Sequence, residues 1–465
     1  MLEQSKLDKS IFREYDIRGI TDTNLTEDVV HEIGSAFAQK MHESGIEKVV
    51  IGRDGRLSSK SIEAALTLGL VEGGVDVLTI GQVATPILYY ATNQLNTGTG
   101  IMITGSHNPP EYNGLKMMLN NKTLYGEAIQ ELYQLTSNKI PEKPTGTASA
   151  RVVSNSYKDE IKKQIRLKKK LKVVVDCGNG VAGDFAPGLL RDIGAEVEEL
   201  YCDVDGMFPN HHPDPAEPKN LKDLIDRVKS VNADVGLAFD GDGDRLGVIC
   251  NTGEVIWPDK LMMLFSKHVL NENPGATIIS DVKCSMDLAQ VVQQNQGKYL
   301  MWRTGHSHIK SKMTQTGALL GGEFSGHICF RDKWYGYDDA LYSAARLLDI
   351  LDRSNKSAHE LFSEFPIRYC TPEIKIETTE SKKFEIIEAL SQTIDIPNAT
   401  INSIDGLRIE YETFWGLIRA SNTSPVLVLR FEAADLDNLV KVQKLLQQII
   451  KEVAPELTFD VFEGS

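Results

Sequence analysis

Lys48-Val-Val-Ile-Gly-Arg-Asp-Gly55 is the first of three stretches in which a β-branched run ends in an Asp/Gly loop. The other two are Lys172-Val-Val-Val-Asp-Cys-Gly-Asn-Gly180 and Thr277-Ile-Ile-Ser-Asp-Val-Lys283. A helical pattern follows each, at about 59–74, 182–194 and 286–295, and then a strand-like run, at 75–80, 197–201 and 299–303. This weak repeat of strand, loop, helix and strand is typical of mixed or parallel α/β layers.

A later strand in each repeat ends in a distinctive loop. The three loops are Thr104-Gly-Ser-His-Asn-Pro-Pro110, Phe239-Asp-Gly-Asp-Gly-Asp-Arg245 and Gly321-Gly-Glu-Phe-Ser-Gly-His327. Ligands of open α/β sheets bind beyond the carboxyl ends of the strands. We therefore expect the three loops to converge on one cleft.

Polar or proline-rich connectors divide the chain. The stretch 138–147 is a plausible linker, the second boundary lies near 251–254, and the third lies close to Phe365-Pro366. Beyond it the pattern predicts a strand at 373–380, a helix at 384–394, three strands within 406–433 and an amphipathic helix at about 435–453. We predict three related mixed α/β domains (1–151, 152–254, 255–366) and a smaller, mainly antiparallel α+β domain (367–465) around one central cleft.

Composition places the chain among soluble globular proteins, with 41% hydrophobic and 25% charged residues among 465. A net charge of -15 argues against non-specific binding to nucleic acid or to anionic membranes. The N-terminus lacks an apolar signal region, and no apolar run is long enough to span a bilayer. The six cysteines form no CxxC pair, which favours a reduced cytoplasm over a zinc or disulfide framework.

Ser106 is the candidate for the reacting group. The apolar run Gly100–Ile103 can end in a rigid loop that presents the serine hydroxyl near free backbone N–H groups, and Pro109-Pro110 prevents a helix from continuing. The alternative is an ordinary turn, since Ser, His and Asn favour turns for local hydrogen-bonding reasons.

Asp240, Asp242 and Asp244 alternate with glycines, so that all three carboxylates can face one ion. Hard oxygen ligands select Mg²⁺ or Ca²⁺. An EF-hand would need glycine at its sixth position and glutamate at its twelfth, where Arg245 and Asn251 stand instead. The remaining alternative is a solvated acidic turn. A phosphate on Ser106 could complete the coordination of the ion, and Arg245 could reach the same phosphate.

Two further loops are suited to a phosphorylated sugar. Arg419-Ala-Ser-Asn-Thr-Ser424 combines a forked cation with hydroxyl and amide donors, as capture of a phosphate dianion requires, although a polar turn is the alternative. Glu323 and Ser325 are two residues apart, so they would lie on one side if their loop is extended and could then bind a vicinal diol. Four further residues are candidates for local positive charge: Arg18, Lys116, Lys283 and His306.

With these motifs in view, the chain resembles the α-D-phosphohexomutase superfamily, in particular its bacterial phosphomannomutase/phosphoglucomutase branch. The resemblance spans nearly the whole chain, in the order Tyr15–Gly19, Thr104–Pro110, Asp240–Arg245, Gly322–His327 and Arg419–Thr423. It implies that Ser106 is phosphorylated and that Asp240, Asp242, Asp244 and Ser106 bind Mg²⁺. It also implies that Lys116 and His327 transfer protons and that Arg18 is a further catalytic residue. It implies substrate contacts from Tyr15, Arg245, Lys283, His306, Glu323, Ser325, Arg419, Ser421, Asn422 and Thr423.

The resemblance also implies the reaction. Phosphoserine 106 would convert a hexose 6-phosphate or 1-phosphate of mannose or glucose into a 1,6-bisphosphate, which turns over and returns the other phosphate. The expected partner is the hexose phosphate alone, and the expected state is a monomer, with a dimer as the alternative.

Three other functions remain as alternatives to this reaction. Phosphoglucosamine mutase is the first, although Phe324 and Asn422 depart from that branch; Phe324 also departs from the methionine associated with the mannose/glucose branch. A phosphoserine-type phosphatase would share the serine and the metal but release inorganic phosphate. A non-catalytic sugar-phosphate sensor would bind without turnover.

Overall fold

The structure, a computed structural model, describes residues 7–136, 144–393, 396–422 and 424–462, which form four β-sheets in chain order. Part of the expected linker at 138–147, and Thr423, lie outside the described residues. The expected architecture of three α/β domains and a smaller C-terminal domain is confirmed. The exact domain boundaries stay predictions.

The first sheet has seven strands in the order β1-β5-β4-β2-β3-β7, with β6 on β5. Its strands are β1 (Ile17–Ile20), β2 (Lys48–Arg53), β3 (Asp76–Gln82), β4 (Gly100–Ile103), β5 (Tyr112–Leu119), β6 (Lys122–Thr123) and β7 (Ala148–Ala150). The accompanying helices are α1 (Glu27–Glu43), α2 (Ser59–Glu72), α3 (Thr85–Gln94) and α4 (Glu127–Leu135).

The second and third sheets are smaller, with the orders β12-β11-β10-β8-β9 and β14-β13-β15-β16. The strands of the second are β8 (Lys172–Asp176), β9 (Glu196–Leu200), β10 (Val235–Phe239), β11 (Leu246–Cys250) and β12 (Val255–Ile256), with α5 (Ser154–Gln164), α6 (Ala186–Ile193) and α7 (Lys222–Val231). The strands of the third are β13 (Thr277–Asp281), β14 (Lys298–Trp302), β15 (Leu320–Gly322) and β16 (Ile328–Phe330), with α8 (Pro258–Glu272), α9 (Met286–Gln294), α10 (His306–Thr316), α11 (Ala340–Arg353) and α12 (Ala358–Phe362).

The internal repeat is confirmed in strand pairing. In each of the three sheets the strand before the Asp/Gly loop (β2, β8, β13) pairs in parallel with the strand after the helix (β3, β9, β14). On its other side it pairs in parallel with β4, β10 or β15. Each of these runs into its distinctive loop and returns as an antiparallel neighbour, β5, β11 or β16. The three loops therefore occupy the same topological position.

The C-terminal domain is an antiparallel six-stranded sheet in the order β17-β22-β21-β20-β19, with β18 on β22. Its elements are β17 (Tyr369–Cys370), β18 (Ile374–Glu377), α13 (Glu380–Thr393), β19 (Thr400–Asn402), β20 (Leu407–Glu410), β21 (Phe414–Ala420), β22 (Val426–Ala433) and α14 (Leu436–Val453). Helix α13 begins at Glu380, four residues before the predicted start.

The first three domains, called the body below, and the C-terminal domain have separate hydrophobic cores. One cluster of buried side chains runs through the first three sheets, from Met102 through Val175 to Phe330, whereas the C-terminal domain packs its own cluster between its sheet and helices. A small cluster of Val282, Trp415 and Leu417 joins the third and fourth domains. Among the described residues, no helix combines the length and apolar composition that crossing a bilayer requires.

Candidate active site at the meeting of four loops

The serine loop follows β4 directly and turns sharply at Ser106, whose φ is 49°. The Ser106 backbone N–H donates to Thr104 Oγ1 at 2.8 Å. The Ser106 hydroxyl donates to Asp240 Oδ2 at 3.1 Å and lies 3.2 Å from His107 Nδ1. Ser106 is buried and faces the aspartate loop, so the expected meeting of these two loops is observed.

A buried arginine that the sequence interpretation left without a role holds the serine loop. The Arg56 guanidinium donates to the carbonyl oxygens of Ser106 (2.8 Å), Asn108 (2.6 Å), Pro109 (2.6 Å) and Tyr112 (3.0 Å). Asp54 pairs with Arg56 at 3.2 Å and accepts the Gly105 N–H at 3.2 Å. A Cβ at Gly105 would lie 2.4 Å from Arg56 Cζ, so only glycine fits there. Both charged residues belong to the Asp/Gly loop at the end of β2, and that position was the only signal of their role.

The aspartate loop joins β10 to β11 and carries three fully buried carboxylates. Asp240 Oδ1 accepts the N–H groups of Gly243, Asp244 and Arg245, each at 3.1 Å. Burial, together with the charges of Asp244 and Asp242, raises the pKa of Asp240 to about 7.

The same loop leaves oxygen atoms free for a cation. The Oδ1 atoms of Asp242 and Asp244 are buried without a hydrogen-bond partner, and one oxygen of each of the three aspartates lies within 4.8 Å of the others. Unsatisfied carboxylate oxygens in a buried site are costly unless a cation neutralises them. The three aspartates therefore fit a hard divalent ion.

Two cations partly neutralise the carboxylates, one from β5 and one from the aspartate loop itself. Lys116, on β5, places Nζ 2.7 Å from Asp242 Oδ2 and 2.5 Å from Asp244 Oδ2. Arg245 Nε lies 3.0 Å from Asp240 Oδ2. Burial alone would lower the pKa of Lys116, but the charges of Asp242 and Asp244 outweigh it and raise that pKa above its usual range. Lys116 is therefore protonated at neutral pH.

His327 connects the aspartate loop to the sugar loop. Its Nε2 lies 3.4 Å from Asp244 Oδ1, and its Nδ1 lies 3.1 Å from Glu323 Oε2 and 2.9 Å from Ser325 Oγ. Burial would lower the pKa of His327, but Asp244 and Glu323 raise it to about 10. The ring stacks on His306 with centroids 5.1 Å apart.

Glu323 and Ser325 lie in the expected loop, which is a turn and not extended. Residues 323–326 form a turn between β15 and β16, closed by the Gly326 N–H on the Glu323 carbonyl at 3.0 Å. Glu323 Oε1 accepts the Gly305 N–H at 2.5 Å and is buried. The two side chains meet through His327 instead of by alternation along a strand.

The end of β21, which carries Arg419, and the loop after it form the distal end of the site. Arg419 Nε lies 3.0 Å from Asp405 Oδ2, and Lys283 Nζ lies 2.8 Å from Glu373 Oε1. The Asn422 side-chain amide donates to the Tyr15 hydroxyl, which itself donates to the Thr304 carbonyl at 2.7 Å.

The predicted residues thus fall into two groups and a bridge. At the serine end lie Arg18, Ser106, Lys116, Asp240, Asp242, Asp244 and Arg245. At the distal end lie Tyr15, Lys283, Arg419, Ser421 and Asn422. His306, Glu323, Ser325 and His327 bridge them, because His306 also contacts Tyr15 with ring centroids 6.2 Å apart. Thr423 lies outside the described residues.

Several residues that shape the site carry no sequence motif. Thr85, at the start of α3, donates its hydroxyl to Asp242 Oδ2 at 2.5 Å. Asp338 contacts His306 Nδ1 at 3.3 Å and Lys310 Nζ at 2.7 Å. Glu373 and Asp405 oppose the distal cations. These residues lie outside the motif loops or far along the chain from the residues that they contact. The sequence pattern therefore did not indicate their roles.

Family models for phosphoglucomutase/phosphomannomutase match the whole architecture. Alpha/beta/alpha domains I, II and III match residues 9–142, 155–253 and 257–369, and the C-terminal domain matches residues 373–449. The chain belongs to the phosphoglucomutase/phosphomannomutase family. The resemblance stated from the motifs is thereby confirmed.

Members of this family with similar sequences come from several bacteria. A phosphomannomutase/phosphoglucomutase of Pseudomonas aeruginosa is 49% identical over 451 residues, which cover 97% of each chain. A phosphoglucomutase of Neisseria meningitidis is 47% identical over 447 residues, covering 95% of this chain and 97% of that protein. The crystal structure of a phosphoglucomutase/phosphomannomutase family protein from Burkholderia thailandensis superposes with a TM-score of 0.93 at 44% identity, over 97% of this chain and 100% of that chain.

Proposed function

We propose that this enzyme reversibly interconverts hexose 6-phosphates and hexose 1-phosphates of mannose, glucose or both, through a hexose 1,6-bisphosphate. The observation that carries the proposal is the Ser106 hydroxyl 3.1 Å from Asp240, in a loop whose other two aspartates each keep one buried oxygen without a hydrogen bond. Family membership and the names of the relatives support the same activity. Ser106 carries the phosphoryl group between turnovers.

Asp240, Asp242 and Asp244 would hold Mg²⁺ together with the phosphorylated Ser106. The chemistry it would supply there is charge withdrawal from the phosphoryl group and stabilisation of the leaving serine oxygen. Arg245, fixed by Asp240 and Asp214, presents its guanidinium beside the same group. Arg18 contacts the serine loop through the Gly105 carbonyl and Asn108 and adds positive charge there.

Proton transfer falls to Lys116 and His327. When the phosphoryl group moves from Ser106 Oγ to a sugar hydroxyl, that hydroxyl loses a proton and Ser106 Oγ gains one. Both candidate groups contact the aspartates that face Ser106, and the raised pKa of each keeps it protonated at neutral pH. A protonated group of this pair donates to Ser106 Oγ, whereas the group that accepts the proton of the sugar hydroxyl must first give up its own, and the two roles exchange in the reverse transfer.

The distal loop binds the phosphate that does not react. Arg419, Ser421, Asn422 and Thr423 offer it a forked cation and polar donors, and Lys283 adds a second charge. Glu323 and Ser325 contact the sugar hydroxyls from the bridge between the two ends. The bisphosphate must bind in two opposite orientations. The distal loop therefore has to bind the phosphate at either end of it.

A single assay tests the reaction. Purified enzyme with Mg²⁺ and catalytic glucose 1,6-bisphosphate is given mannose, glucose or glucosamine phosphates, and isomerised sugar phosphate and inorganic phosphate are both measured. Isomerised mannose or glucose phosphate without stoichiometric phosphate release is expected. Dominant phosphate release would favour the phosphatase, a preference for glucosamine would favour a phosphoglucosamine mutase, and binding without turnover would favour a sensor.

We further propose a monomeric enzyme of the reduced cytoplasm, with hexose phosphate as its partner. All six cysteines are free thiols, which supports a reducing compartment. Light scattering on the purified full-length chain measures the oligomeric state. A measured mass of twice that of the chain would show a dimer and contradict the proposed monomer.

A further inference from the structure

Three metal-binding residue types meet outside the site described above. Cys250 ends β11, Glu254 lies in the turn before β12, and His359 lies in the first turn of α12. The Cys250 Sγ, one Glu254 carboxylate oxygen and one His359 ring nitrogen all lie within 4.8 Å of one another. None of the three takes part in the proposed mutase reaction.

Backbone contacts fix the positions of the two segments. The β11–β12 turn is closed by the Gly253 N–H on the Cys250 carbonyl and by the Cys250 N–H on the Glu254 carbonyl, both at 2.9 Å. The His359 N–H donates to Asn251 Oδ1, from the same turn, at 2.9 Å. Helix α12 begins at a capping box formed by Ser357 and Glu360. The three side chains therefore start from two segments that are tied together.

The histidine ring is oriented as a metal ligand would be. His359 Nδ1 lies 3.4 Å from Glu254 Oε2 but is buried without a hydrogen-bond partner. The other ring nitrogen, Nε2, lies 3.4 Å from Ser363 Oγ. Histidines that bind metals characteristically use their second nitrogen for a hydrogen bond that fixes the ring. The nitrogen that faces the cysteine and glutamate is thus the one left unsatisfied.

We propose that Cys250, Glu254 and His359 form a Zn²⁺ site, with water as the fourth ligand. A thiolate, an imidazole and a carboxylate match zinc, whereas the all-oxygen aspartate loop matches Mg²⁺. Bond lengths of about 2.0–2.3 Å place tetrahedral ligand atoms roughly 3.3–3.7 Å apart, so the 3.4 Å pair already fits. Glu254 is half-exposed and its other cation, Lys260, is 3.7 Å away, so its side chain can adjust. Binding displaces the thiol proton of Cys250 to solvent.

Zinc at this position would fasten the edge hairpin of the second sheet to α12. That helix ends at Phe362, shortly before Phe365-Pro366 and the C-terminal domain. The ion would therefore stabilise the segment that connects the third domain to the C-terminal domain, which carries the distal loop.

Cobalt substitution gives a direct test on the full-length protein. Excess Mg²⁺ is present to occupy the aspartate loop, and Co²⁺ is titrated while the near-ultraviolet sulfur-to-cobalt charge-transfer band is recorded. One equivalent of Co²⁺ should produce the band, and Zn²⁺ should remove it. The variants C250S and H359A should lose the band, E254Q should weaken binding, and S363A should weaken it about 10- to 100-fold. C370S, which alters a half-buried cysteine elsewhere, should keep it.

A band that is absent, that survives in C250S or H359A, or that disappears equally in C370S would overturn the zinc site. Thermal unfolding of each variant identifies folding defects. Since His359 is half-exposed, H359A should keep its unfolding temperature even if C250S does not. The result is independent of mutase activity.

Discussion

The loop around Ser106 and the loop around Arg419 face opposite ends of one cleft but are held differently. The serine loop is gripped from inside the body by Arg56, which bonds four of its carbonyl groups, and by Asp54. It stands on a sheet whose core is continuous with those of the second and third domains. The reacting hydroxyl is therefore positioned before substrate arrives.

The distal loop stands on a domain with its own core. Its cations are already paired, Arg419 with Asp405 and Lys283 with Glu373. The charge of Lys283 holds the pKa of Glu373 down at about 2, so this carboxylate stays ionised. An incoming phosphate must compete with these acids for Arg419 and Lys283, whereas at the serine end Arg56 already fixes the backbone of the loop. Because the distal loop belongs to a domain with a separate core, we expect a hinge near Phe365-Pro366, the third predicted domain boundary.

Removing the reacting hydroxyl should give the largest effect. Ser106→Ala should lower kcat at least about 10⁴-fold, because no other group at the serine end can carry the phosphoryl group. Sugar-phosphate affinity, measured by calorimetry, should remain, since the distal grip is intact. Ser61→Ala, on the exposed face of α2, serves as the control. Full activity in S106A would break the assignment of the serine end.

Loosening the serine loop tests whether its rigidity matters. Arg56→Lys keeps the charge beside Asp54 but cannot bond all four carbonyl groups, and we expect kcat to fall by about 10²-fold with little change in KM. Arg53→Lys, which alters an arginine paired with Glu63, is the matched control. If R56K raised KM and left kcat unchanged, the serine end would not be preorganised as described. Thermal unfolding of both variants separates this effect from instability.

Weakening the distal grip should produce the opposite kinetic pattern. Arg419→Lys loses bidentate capture, worth about 1.5–3 kcal/mol for a hydrogen bond to a charged group, and KM should rise about 10- to 100-fold. The change in kcat should be smaller than the change in KM. Arg303→Lys is the control. Arg303 is exposed and lies at the same domain boundary, and among the described residues its one hydrogen bond is to the Ile404 carbonyl. A fall in kcat alone would place Arg419 with the chemistry.

The pH dependence of ion binding gives the smallest effect and concerns the serine end alone. Asp240, with its pKa raised to about 7 in the ion-free protein, carries a proton below that pH, which Mg²⁺ must displace. The apparent affinity for Mg²⁺ should be constant above about pH 7 and fall up to about tenfold per pH unit below it. Calorimetry between pH 5.5 and 8.5, in buffers of different ionisation enthalpy, measures the affinity and the released proton. A flat affinity would show that Asp240 binds no proton in this range.

Local patterns in the sequence were sufficient for the elements and for the motif loops. Runs of β-branched residues marked β2, β8 and β13, and alternating Asp and Gly marked a cation loop. The spacing of Glu323 and Ser325 left open whether their loop is extended or a tight turn, and the structure shows a turn at residues 323–326. The early start of α13 reflects the usual uncertainty of helix ends.

The sequence by itself determined the repeated α/β architecture, the order of the loops and the candidate chemistry of Ser106 and the three aspartates. Only the tertiary structure decided that Arg56 holds the serine loop, that Thr85 contacts Asp242, that Asp405 and Glu373 oppose the distal cations, and that Cys250 lies beside His359. The physical reason is the range of the interactions. Periodicity and turn chemistry act over a few residues, whereas these contacts join side chains that only chain packing brings together.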